Sequence, residues 1–163
     1  MAVRPAHALL VSLCALLPSA TPALERPGDA AYGDALDRHA RSVAALERET
    51  LALIAIAPDA ERFLLYRTYD RLVGAWVQVD LLHARLDEAV ALSAPDIALR
   101  NELADQAQFA LWELDEADSD LERTSSAWQR PDHARIGGHI RARLREVRAT
   151  VADMLASECA RAD

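Results

Sequence analysis

Ala55-Ile56-Ala57-Pro58-Asp59-Ala60-Glu61-Arg62 is the stretch whose reading decides the fold. Its left half closes a run of helix-forming residues, and its right half opens another. Proline lacks an N–H and fits only the first turn of a helix, while Asp is favoured at helix N-termini. The Pro-Asp pair therefore ends one helix and starts the next. The same dipeptide recurs at 95–96 and 131–132, the first of these again preceded by Ala. Three breaks divide an Ala-, Leu-, Arg- and Glu-rich chain into segments predicted as helices over about 29–57, 59–92, 95–128 and 132–160.

Each segment carries apolar residues at alternating steps of four and three. The first offers Tyr32, Leu36, His39, Val43, Leu46, Thr50, Leu53 and Ala57; the second Leu65, Tyr69, Leu72, Trp76, Val79, His83, Leu86 and Val90. The third offers Leu103, Ala107, Ala110, Leu114, Ala117, Leu121, Thr124 and Trp128, and the fourth Ile140, Leu144, Val147, Val151 and Met154. Such stripes face a core between helices, and no strand-length alternation competes with them. Connections of a few residues force consecutive helices to be antiparallel neighbours. The expected fold is all-α: an up-down-up-down antiparallel four-helix bundle over 24–163, preceded by a cleavable signal peptide at 1–23. Gly137-Gly138 leaves two alternatives for the fourth helix: a start near His139, or a close approach by a neighbour.

Residues 1–23 carry Arg4, a ten-residue apolar run from Ala8 to Leu17, and small residues up to Ala23. That run is too short to span a bilayer, which needs about 20 residues, and the pattern is that of a secretory leader. The expected location is the periplasm or the medium, with no membrane span after cleavage. Loss of Arg4 with the leader takes the formal charge from −8 to −9. All 18 basic residues are Arg, which excludes chemistry built on a lysine. The acidic balance argues against nucleic acid as a partner. After cleavage Cys159 is the single cysteine, so the disulfide open to it is an intermolecular one, within a homodimer.

Two candidate sites emerge. Asp80, His83, Asp105 and Met154 fall at one level if the helices fold back at the breaks. Imidazole, carboxylate and thioether together suit a divalent transition metal; otherwise no cofactor is expected. Covalent haem attachment and di-iron carboxylate chemistry lack their motifs, as do nucleophile elbows, phosphate loops and zinc-protease sites. No catalytic residue is assigned, and an enzyme is disfavoured.

The second candidate is a protein-binding face formed by Tyr66, Phe109 and Trp112 beside the acidic edge Glu113, Glu116 and Asp120. Large aromatics on a charged face are a usual ingredient of protein interfaces. The acids of the third helix have a competing use. Folding back near 129–130 sets helices three and four so that level residues have numbers summing to about 259. Arg141, Arg143 and Arg145 then face the acidic stretch, and interhelical ion pairs would consume it. The expected function is that of an exported, non-enzymatic protein-binding bundle (an inhibitor, immunity, adaptor or sensor protein) whose partner is another exported or envelope protein. A metal- or cofactor-binding bundle is the alternative.

Overall fold

The computed structural model describes residues 28–92 and 97–162. They form four helices and no strand: α1 (Asp29–Ile56), α2 (Asp59–Ala91), α3 (Ile97–Ser125) and α4 (Pro131–Ala162). The expected leader at 1–23 and the break at 93–96 lie outside the described residues. Cross-helix pairs give the directions. On α2 and α3, Arg67 reaches Asp120 while Gln78 reaches Gln106; on α1 and α4, His39 meets Thr150 while Glu49 meets Arg135. Numbers rise on one partner as they fall on the other, so these neighbours are antiparallel, as in a four-helix bundle.

The Pro-Asp pairs work differently from one another in detail. Pro58 is itself the N-cap of α2, with extended backbone, and Asp59 is the first helical residue. Asp59 forms no side-chain cap bond; it meets Arg62 at 2.8 Å and sits at the positive end of the helix dipole. At the third break α4 begins on Pro131, and Asp132 accepts the His133 N–H at 3.1 Å while pairing with Arg130 at 2.8 Å.

The core is built from Leu36, Val43, Leu65, Leu72, Leu82, Leu86, Leu103, Leu114, Ile140, Leu144 and Val151, all nearly inaccessible. Burying one such side chain stabilises by about 1.5–3 kcal/mol. Ala104, Ala107, Ala110 and Ala117 line the inner face of α3 and let the neighbouring helices approach closely. The expected stripe of α2 is half right. Leu65, Leu72, Val79 and Leu86 are buried, but the alternate layer is Thr68, Ala75, Leu82 and Ala89 rather than Tyr69, Trp76, His83 and Val90. Val90 is 47% exposed.

Gly137 and Gly138 lie inside α4, so the helix does not wait for His139. A Cβ on Gly137 would stand 3.5 Å from Trp128 Nε1, an ordinary contact distance, so the α3–α4 connection packs against the helix here without requiring a glycine.

Candidate functional site

Asp80, His83, Asp105 and Met154 are not brought together. Met154 is buried in the core, whereas Asp80 and Asp105 are exposed on α2 and α3. The His83 ring belongs to the α1–α2 seam, its Nε2 3.7 Å from Asp87 and 3.9 Å from Asp37. The slipped layer of α2 is the reason: Leu82 takes the inward place assigned to His83. Among the described residues no group of three His, Cys, Asp or Glu side chains is arranged to hold a metal ion. Cys159 is buried near the end of α4.

His39 is half-buried in the seam between α1 and α4. The Thr150 hydroxyl donates to the Glu146 carbonyl at 3.3 Å, so His39 Nε2 donates to Thr150 Oγ1 at 3.0 Å. Nδ1 is then a bare, buried acceptor, the form of a neutral ring. Burial, aided by the charge of Arg143, lowers the His39 pKa below its ordinary value.

The aromatic face is carried by α3. Phe109 and Trp112 are 46% and 55% exposed, and their ring centroids are 5.7 Å apart. Trp112 is one turn beyond Phe109, so the two rings share one surface. Along α2, at three- and four-residue steps, run Arg67, Arg71, Gly74, Gln78, Leu81 and Arg85; along α3 run Glu102, Gln106, Phe109, Glu113, Glu116 and Asp120. Residues at this spacing share a helix face. Three polar bridges show that these two faces oppose each other: Arg71 to Asp120 at 2.9 Å, Gln106 to the Gln78 carbonyl at 3.1 Å, and Arg85 to Glu102 at 3.7 Å. Between the bridges Gly74 is level with Trp112 and Glu113, and a Cβ there would meet nothing within 4 Å. Val77 and Leu81 are exposed beside it. The apolar surface therefore straddles the α2–α3 seam.

Two expected members of this face belong elsewhere. Tyr66 is exposed, but its neighbour Arg67 is level with Asp120, which puts it about two turns along the bundle from Trp112. Asp120 is only 2% exposed and lies under Arg67, Arg71 and Arg123. Arg67 grips it through two nitrogens, at 2.9 and 2.5 Å. Hydrogen bonds from Arg67, then Arg71 and Arg123, overcome the cost of burial and hold the Asp120 carboxyl well below the usual carboxylate range. It is a structural ion, not an edge residue.

The remaining acids of α3 divide sharply. Asp118 takes Arg141 at 2.8 Å and Arg145 at 3.0 Å; Glu122 takes Arg141 at 3.2 Å, and Asp115 takes Arg148 at 2.5 Å. Burial alone would raise the Asp118 carboxyl, but the hydrogen bonds and charges of both arginines lower it. The expected facing of acids and arginines is thus present, except that Arg143 turns to Glu146 on its own helix. Glu113 and Glu116, on the other side of α3, form no ion pair among the described residues.

Two features escaped sequence reasoning. His133, fully buried, bonds through Nδ1 to Glu61, leaves Nε2 without a partner and sets its ring edge-on to Trp128 at 5.9 Å. The available signal was positional: Glu61 and His133 both sit in the first turn after a Pro-Asp break, in two helices that start at the same end. The other is a shallow cleft of about 350 Å³ between α1 and α4, lined by Ser42, Leu46, Glu49, His139, Arg143 and Glu146. Its carboxylates are already matched, Glu49 by Arg135 and Glu146 by Arg143, both helices supplying the charges that close it.

Comparison of this chain with protein-family models, with curated proteins and with solved structures finds no match. No helix among the described residues is long and apolar enough to cross a membrane.

Proposed function

We propose that this protein is an exported, non-enzymatic helical bundle that works by binding another protein of the envelope or the extracellular space, as inhibitors, immunity proteins, adaptors and sensors do. The supporting observation is the exposed Phe109–Trp112 ring pair, continuous with Val77 and Leu81 across the α2–α3 seam. Aromatic anchors dominate the binding energy of protein interfaces. Glu113 and Glu116 border the rings and form the polar rim. The export half of the reading rests on the charge, apolar run and small residues of 1–23.

Substitution separates an interface tryptophan from a core one. Trp112→Ala is expected to keep unfolding stability within about 1 kcal/mol, whereas Leu86→Ala in the core costs about 2–5 kcal/mol. A photo-crosslinker at position 112 should trap a defined envelope protein that a crosslinker at Arg148, on the far seam, does not. A Trp112→Ala variant that unfolds like a core variant, or identical products at both positions, would reject this face as the interface.

A further inference from the structure

We infer that the partner is cationic: a protein segment presenting an amphipathic helix whose apolar strip is flanked by Arg or Lys. This rests on the protein-binding reading above and adds the chemistry of the other side.

The carboxylates decide it. Asp115, Asp118 and Glu122 are neutralised by arginines of α4, and Asp120 by those of α2. Of those forming no ion pair among the described residues, Asp34, Glu47 and Asp153 lie on α1 and α4, Asp80 lies towards the α1 side of α2, and the other four border the aromatic face. Asp105 and Glu113 lie one turn to either side of Phe109, and Glu116 one turn beyond Trp112. On α2, Asp70 lies one turn before Gly74. None of these four has a basic partner to release before it can take one from outside. A hollow of about 300 Å³, lined by Arg85, Glu102, Asp105 and Gln106, opens in the same seam next to the rings. Arg85 is already shared between Glu88 and Glu102, which leaves Asp105 and the Gln106 amide oxygen as acceptors for an incoming guanidinium or ammonium.

The shape selects a helix. Two antiparallel helices leave a groove along their seam, and Gly74 keeps its floor bare opposite Trp112. A third helix laid there places its apolar strip on Val77, Leu81, Phe109 and Trp112. Apolar contact supplies most of the affinity, and the rim charges choose the partner. A second copy docked face to face would set these acids against their own kind.

The test uses three synthetic 18-residue helices sharing one Leu/Phe strip and flanked by Arg/Lys, by Gln or by Glu. Each is titrated into the purified chain, followed by the amide resonances of Val77, Leu81 and Phe109 and the indole N–H of Trp112. The cationic helix is expected to shift these signals and to bind at least tenfold tighter than the neutral one, with no binding of the Glu helix. In Asp105→Asn/Glu113→Gln/Glu116→Gln, with its circular dichroism unchanged, that preference should fall below threefold. Equal binding of cationic and neutral helices would overturn the cationic partner while leaving the interface standing. Failure of all three to perturb the face would overturn both readings. Shifts of the same residues with protein concentration, without peptide, would make a second copy the occupant and overturn the proposal, as would cationic binding confined to another face.

Discussion

Asp120 and His39 store opposite kinds of pH dependence. The Asp120 carboxylate titrates lower when folded than its ordinary 3.8, so its stabilisation is complete above that pH and lost as acid protonates the native state. Asp120→Asn should reduce stability at neutral pH by about 1–3 kcal/mol, because three arginines lose a charged acceptor but stay near water. It should also flatten the decline below pH 3.8, measured by urea unfolding across pH. His39 is a base with a lowered folded pKa. No penalty exists above its unfolded value of 6.5; below it the unfolded chain takes the proton first, and stability falls. The difference in unfolding free energy between the parent and His39→Gln should therefore shrink as pH drops from 6.5 towards 5, and a constant difference would refute the neutral buried ring. Neither residue could be understood from its own segment. Asp120 read as one more acid in a run, because two of the three arginines that cover it, Arg67 and Arg71, are on another helix, 53 and 49 residues away in the chain.

At the scale of helices, the breaks and the number of rods were legible because proline chemistry is local. The inward phase of α2 was not. Both rows of that helix are apolar, one aromatic and one aliphatic, and a heptad stripe fixes only which residues recur, not whether the intervening step is three or four. Tyr69, Trp76 and His83 outweighed Thr68, Ala75 and Leu82 by size, although small side chains suit a close seam better. That single-residue slip moved His83 out of the core and dissolved the expected metal site. The same helix supplies a test of its surface. Gly74 has no neighbour that needs its missing Cβ, so Gly74→Ala should raise stability by about 0.5–1 kcal/mol. Destabilisation in a thermal or urea melt would mean that the backbone there needs the glycine.

For the molecule as a whole, the fold-back level count proved sound where it concerned α3 and α4. Arg141 meets Asp118 as that count requires. What sequence could not supply was which side of α3 each acid leaves by, since adjacent residues in the run point 100° apart. The proposed leader makes a prediction of the same scale: if it is cleaved on export, the mature protein should begin at Leu24, and intact-mass measurement finding Met1 would reject cleavage.

The division of the acids also gives the molecule an electrical polarity across its width. Matched pairs on the α3–α4 side cancel at short range, while the bare carboxylates on the α2–α3 side keep their full field. If the proposed face binds a cationic partner, that imbalance should, in dilute buffer, turn it towards the approaching positive surface before contact and speed encounters by tenfold or more. Near physiological salt the field decays over about 8 Å, so association should slow steeply with ionic strength while dissociation, governed by the ring contacts, changes little.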